Sequence, residues 1–183
     1  MHKALLWVVS MNKKLKREVI ILSTKQTNFQ LNGEDYGMDI ATVSTVEKDL
    51  KIKKIVSSSN KDVSKNEDSL KNIKGKVDLR GEEIPVYSLR SKFGFPEKEV
   101  DLDTRYLVTN VDGKNIAFEV DHVKGISDIE DTNIYKVPSI IKNKETFYIK
   151  SLADLAGELV IILDSSKILN DEEKKVLQGQ VKN

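Results

Sequence analysis

The sequence has no cysteine, two histidines, three prolines and few aromatic residues. Without cysteine there is no disulfide framework, no thiol nucleophile and no cysteine-ligated zinc or iron–sulfur centre. His2 and His122 are too few for a His-rich metal site. Aromatics at 6% leave few platforms for stacking single-stranded nucleic acid. No charge dominates: 30 Lys and Arg stand against 29 Asp and Glu, so a polyanion gains no overall attraction. No apolar stretch approaches the roughly 20 residues of a membrane-crossing helix. The apolar run at residues 4–9 is shorter than a secretory core of about 7–15 residues and leads into Lys13, Lys14, Lys16 and Arg17. Residues 1–26 read as an N-terminal extension, with a start at Met11 favoured over a membrane-surface anchor. What is present is 183 residues with 39% hydrophobic content, enough for one domain or two small ones sharing a core.

The strongest pattern is internal repetition. Alternating apolar residues flank Asn32-Gly33, and the same device recurs around Asp112-Gly113, eighty positions on. Leu31 falls on Val111, Tyr36 on Ile116, Met38 on Phe118, Asp39 on Glu119, Ile40 on Val120, Val43 on Val123 and Val46 on Ile126. Asn-Gly and Asp-Gly between alternating runs predict hairpins. A second pair matches residues 73–82 to residues 149–158, with Ile, Lys, Asp, Leu, Gly and Glu in register. Each copy reads as an irregular connection and a turn that leads into a strand. Short strands with turns between them predict a duplicated β-barrel or sandwich rather than a βαβ fold. Pro85 predicts an edge or bulge position, because proline cannot donate to a ladder. Residues 57–69 read as a mobile loop. Ser165 or Ser166 is the expected cap of a C-terminal helix ending at Gly179.

Catalytic templates find no match. The glycines sit in turns, not in a phosphate loop. No Gly-x-Ser-x-Gly elbow occurs, and His122 has no partner nucleophile. Asp101 and Asp103 resemble the start of a calcium loop but lack its central Gly and closing Glu. Glu82-Glu83 reads as a turn and Glu172-Glu173 as a solvated helix face. Arg80 stands out: the matched position in the second copy is Ala156, so the turn itself does not need it. It either offers a fork of donors to a partner carboxylate or makes an ordinary surface ion pair.

The ordered set Ile73, Gly75, Asp78-Leu79-Arg80-Gly81, Ile84-Pro85-Val86, Leu89-Arg90 and Phe93-Gly94 resembles the signature of the CheW family of bacterial chemotaxis adaptors. Phe29, Leu31, Gly33-Glu34, Tyr36-Gly37, Asp39-Ile40 and Val43 resemble its first hairpin. Residues 104–108 and 118–123 resemble its second half, and residues 148–150 and 159–164 its end. The resemblance covers about residues 27–170. It implies an all-β fold of two intertwined five-stranded barrels around a shared core, followed by a short C-terminal helix end and tail at 171–183. It implies no catalysis, cofactor or metal, no nucleic acid and no membrane insertion. Instead it implies a cytoplasmic scaffold that couples the regulatory domain of a CheA-type histidine kinase to the cytoplasmic tip of chemoreceptors, in arrays beneath the inner membrane. By family position, Val43, Val46 and Gly75 fall on the kinase side, and Arg80, Tyr106 and Leu107 on the receptor side. Two positions depart from the family: Thr45 stands where Glu is common, and Ser88 where Asp is usual. The alternatives are a small-molecule or peptide-binding barrel and a divergent adaptor of a non-chemotaxis pathway. Inward polar residues would favour the ligand-binding barrel. The apolar positions Leu31, Met38, Ile40, Val111, Phe118 and Val120 point to a filled core instead.

Overall fold

A computed structural model of the chain describes residues 22–54, 71–143 and 145–180. The expected mobile loop at 57–69 and the Met11 start lie outside these residues.

Among the described residues four two-residue turns organise the fold. Asn32-Gly33, Arg80-Gly81, Asp112-Gly113 and Ala156-Gly157 each place two successive residues at positive φ. That geometry gives the twist that joins adjacent antiparallel strands. The turns link β1 (Ser23–Leu31) to β2 (Glu34–Asp39), and β4 (Ile73–Leu79) to β5 (Glu82–Ser88). They also link β6 (Arg105–Val111) to β7 (Lys114–Val120), and β10 (Ile149–Leu155) to β11 (Glu158–Leu163). In three of them a side chain two residues before the turn accepts from the turn glycine: Asp78, Asn110 and Asp154 bind the N–H groups of Gly81, Gly113 and Gly157 at 2.7–3.1 Å. The expected hairpins are present. The expected irregular connections before Arg80 and Ala156 are instead strands β4 and β10, and Gly75 lies inside β4 rather than bounding the turn. Ile40 belongs to a 3-10 turn, Ile40–Thr42, and is half-buried.

The remaining strands are β3 (Val43–Glu47), β8 (His122–Glu130) and β9 (Ile134–Tyr135). Sheet A runs β8-β1-β2-β11-β10-β9 and sheet B runs β3-β6-β7-β5-β4. The two sheets follow one plan with partners exchanged. The first hairpin pairs with strands of the second half through a parallel β2–β11 ladder. The second hairpin pairs with strands of the first half through a parallel β5–β7 ladder. The expected intertwining is therefore literal. Among the described residues neither sheet closes by a ladder between its end strands. The chain itself spans each gap: Lys53, beyond β3, exchanges two backbone hydrogen bonds with Lys76 of β4 at 2.8 and 2.9 Å, and β9, beyond β8, pairs with β10. Pro85 lies in an inner strand, but β7 pairs only with Val86–Ser88, so at Pro85 the strand has β4 alone beside it.

Among the described residues three apolar clusters form the core. The largest lies between the sheets and includes Phe29, Leu31, Met38, Leu107, Val111, Phe118 and Val120. Sheet B folds over Val77, Ile84, Val86, Tyr106, Val108 and Ala117, and sheet A over Ile129, Ala153, Val160 and Ile162. Strands such as β6 are therefore buried on both faces, which is why their sequences run apolar without strict alternation.

Short helices complete the fold: α1 (Leu89–Lys92), α2 (Ser165–Ile168) and α3 (Asp171–Gln180). The C-terminal helix is thus two helices. Asp164, not Ser165 or Ser166, caps α2, and Asn170 caps α3, which continues past Gly179. Ser88 caps α1 by accepting from the Ser91 N–H at 3.2 Å. Serine performs that task as well as the usual aspartate.

Candidate functional site

All the nominated residues lie on sheet B, but only some reach solvent. Tyr106 and Leu107 are 1% and 0% exposed. As neighbours on β6 they point to opposite faces, Tyr106 into the sheet's own core and Leu107 into the core between sheets. Both side chains therefore lie beneath the surface rather than on it. Burial, followed by the charge of Glu119, pushes the Tyr106 hydroxyl up to about 12. Gly75 is buried too. A Cβ there would stand 2.4 Å from the Lys53 carbonyl oxygen and 2.6 Å from Ile52 Cγ2. The glycine therefore serves the crossing of residues 52–53 over β4, where a side chain would collide with backbone.

Val43 is half-buried against the central core. Val46 is exposed at 42%. In the β3–β6 ladder Val46 stands opposite Leu107, and Glu47 opposite Tyr106. Arg80, at the tip of the β4–β5 hairpin, has a side chain 78% exposed. Its Nη2 lies 3.6 Å from Glu47 Oε1, and that same carboxylate oxygen accepts from Thr45 Oγ1 at 3.0 Å. Thr45 thus steadies the acid that faces the arginine. An ion pair this long and this wet contributes little to stability, and the guanidinium keeps donors for another carboxylate. The structure brings Thr45, Glu47 and Arg80 together on one face of β3, whereas Val46 is exposed on the other face, the side of Leu107, with Val43 half-buried against the central core.

Two polar clusters support this sheet. Arg90, on α1, ion-pairs with Asp121 and donates to the Pro96 carbonyl at 2.8 Å and to Asn32 Oδ1 at 3.3 Å. Asp121 also accepts from the Asn32 N–H at 2.8 Å, so one arginine binds the first hairpin turn to the β7–β8 junction. The second cluster centres on Glu173, which is 1% exposed and so contradicts the expected solvated face. Its carboxylate accepts from Tyr87 at 2.5 Å, Asn72 at 2.9 Å, Lys92 at 2.8 Å and the Asn170 N–H at 2.8 Å. Burial alone would raise its pKa, but Lys92 and the other donors hold it below the ordinary value. The same burial and the Glu173 charge push the Tyr87 hydroxyl well above its usual range. The spacing Asn170-x-x-Glu173 is a reciprocal capping pair, a signal visible in the sequence.

The remaining candidates resolve simply. His122 is exposed, and its neighbour Asp121 is engaged by Arg90 and Asn32. Asp101 caps its own turn through the N–H groups of Asp103 and Thr104, and Lys98 and Thr104 hold its carboxyl low. Among the described residues no cluster of His, Asp and Glu is placed to hold a metal ion, and no helix is long and apolar enough to cross a membrane.

A family model described as CheW-like domain matches residues 27–173. The chain is 26% identical over 154 residues to the chemotaxis protein CheW of Klebsiella aerogenes, covering 84% of this chain and 86% of that one. It is 22% identical over 151 residues to the chemotaxis protein CheW of Bacillus subtilis, covering 82% and 90%. Among solved structures, the scaffolding protein TtCheW from Thermoanaerobacter tengcongensis aligns with a TM-score of 0.70 at 26% identity, covering 83% of this chain and 96% of that one.

Proposed function

The chain belongs to the CheW-like domain family of chemotaxis scaffolds, and from that premise we propose that it couples a CheA-type histidine kinase to chemoreceptors. It binds the kinase's regulatory domain and the cytoplasmic tip of the receptor, at the cytoplasmic face of the inner membrane, and catalyses no reaction. The observation that carries this reading is the exposed edge of sheet B, where β3 offers Val46 as an apolar anchor on one face and holds Glu47 beside the Arg80 fork on the other. Apolar anchoring with a few register-setting charges is how a protein docks a partner surface without chemistry. Val43 and Val46 serve the kinase side and Arg80 the receptor side. Gly75, Tyr106 and Leu107 shape these surfaces from beneath. The functional unit is residues 27–170, with α3 fastened to it through Glu173.

Co-precipitation with the kinase regulatory domain and with a receptor hairpin, at low and physiological salt, tests the proposal. Binding to both is expected, and binding to neither would overturn it. Arg80→Glu should lose receptor binding while the melting temperature stays nearly constant, because the Arg80–Glu47 pair is long and exposed.

A further inference from the structure

The duplication marks a lysine that stands without an acid. In sheet B, Lys74 pairs with the buried Glu119 at 2.6 Å. The repeat matches Lys74 to Lys150 and Glu119 to Asp39. In sheet A those two make no ion pair. Asp39 instead caps its 3-10 turn by accepting from the Ala41 N–H at 2.9 Å. Lys150 is exposed and has no carboxylate partner among the described residues. It lines a cleft of about 720 Å³ beside α2, where Lys142 and Lys167 join it.

The cleft carries one sign. No carboxylate lines it alongside the three lysines, and Glu145, in the same loop, lies outside the lining. Lys142 is exposed and has no ion pair among the described residues, and Lys167 holds Asp164, three residues before it, at 2.8 Å. The rest of the wall is Asn143, Thr146, Phe147 and Ile149. Asn143 Oδ1 is committed to its own turn, accepting from the N–H groups of Glu145 and Thr146 at 2.7 and 3.0 Å, which leaves Nδ2 open to a guest. Thr146 ties the loop down by donating to the Ile141 carbonyl at 2.5 Å, and the Tyr148 carbonyl accepts from the Asp164 N–H at 2.8 Å, at the entry to α2. Phe147 is 44% exposed. Its ring meets the buried Tyr148 at a centroid distance of 6.3 Å in a tilted edge contact, and Tyr148 stacks on Phe93 at 4.8 Å. The Phe147 ring is therefore braced from below with surface to spare.

We propose that this cleft binds a nucleoside phosphate, with Lys142, Lys150 and Lys167 on the phosphoryl oxygens and Phe147 stacked on the base. Lysine ammonium groups serve phosphate as point charges. A flat base of any kind stacks on an aromatic ring. The volume falls in the range of roughly 300–1,000 Å³ that small-molecule sites occupy. The lining sets the guest: a cation or an amine finds no acid there, and a bare phosphate leaves Phe147 and Ile149 unused. The inference does not depend on the coupling role, because binding is read on this chain alone.

Isothermal titration of the whole chain with ATP, inorganic tripolyphosphate and adenosine, at low and physiological salt, tests it. Saturable ATP binding is expected, about tenfold tighter than tripolyphosphate because only ATP brings a base to Phe147, with adenosine weaker still. Phe147→Ala should remove the advantage of ATP over tripolyphosphate. Lys142→Glu and Lys150→Glu should each abolish ATP binding at an unchanged melting temperature, since both side chains are exposed, and they serve if Phe147→Ala does not fold. No ATP binding at physiological salt, equal affinity for ATP and tripolyphosphate, or ATP binding that survives the folded lysine variants would overturn the inference. So would association with phosphatidylglycerol vesicles in place of ATP.

Discussion

Sheet A and sheet B follow one strand plan and are finished differently. Sheet B carries the exposed Val46 and Arg80, an apolar interior and the α3 clamp. Sheet A has Ala156 where sheet B has Arg80, Ser151 where it has Gly75, and the carboxamides Gln26 and Asn28 where it has Tyr106 and Val108. The shared features are those that any such sheet requires: four turns at positive φ, the side-chain bonds that brace them, and the parallel ladders that exchange the hairpins. Whatever differs between the sheets is not demanded by the plan and is free to serve a purpose of its own.

The clamp is the largest asymmetry. Glu173→Gln should cost on the order of 3 kcal/mol in chemical denaturation, because it leaves the half-buried Lys92 without its counter-charge. The same bond makes the clamp acid-sensitive. The folded pKa of Glu173 lies below its ordinary value of 4.5, so its contribution is complete above that pH and fades as pH falls through the lowered folded value. Thermal melts across that range should show Glu173→Gln losing the acid-dependent part of the stability. A variant as pH-sensitive as the unaltered chain would remove Glu173 from the account.

The matched pair Gly75 and Ser151 comes next. Gly75→Ala drives a Cβ into the Lys53 carbonyl, a backbone atom that cannot turn away, and should destabilise by roughly 2–3 kcal/mol. Ser151→Gly should cost only about 0.5–1 kcal/mol, the entropic penalty of glycine in a strand. Equal effects at the two positions would show that the sheets cross their gaps alike.

The smallest effects sharpen the comparison most. Arg80 and Ala156 both sit at φ +56. Arg80→Gly and Ala156→Gly should each stabilise by about 1 kcal/mol, through relief of the same left-handed strain. Only Arg80→Gly should weaken receptor binding. If both variants or neither change binding, the asymmetry between the turns has no bearing on coupling.

The hairpins at Asn32-Gly33 and Asp112-Gly113 were legible because turn chemistry and alternation are local signals. The partner exchange was legible only through the family resemblance, not through the repeat. A repeat of fixed spacing does not say which copy of a strand a hairpin will meet, and that choice follows from the faces buried between the sheets. Tyr106 and Leu107 matched surface positions of the family pattern, yet β6 is covered on both faces and takes both inward. Glu173 was misread because its helix face is covered by Asn72, Tyr87 and Lys92, all distant in sequence. The cap pair Asn170-x-x-Glu173 marked the helix start but gave no sign of burial. Arg80 was legible because a duplicated sequence supplies its own control, the alanine in the other copy.

The exchange of hairpins also sets an order of completion during synthesis. Sheet B has all its strands once Val120 has been added, whereas sheet A waits for Leu163. The first strands made, β1 and β2, are therefore among the last to be fully paired. A growing chain that ordinarily folds from its N-terminus forward here finishes its middle first. Until β11 emerges to cover it, the edge of β2 is the stretch of backbone most in need of protection from neighbouring chains.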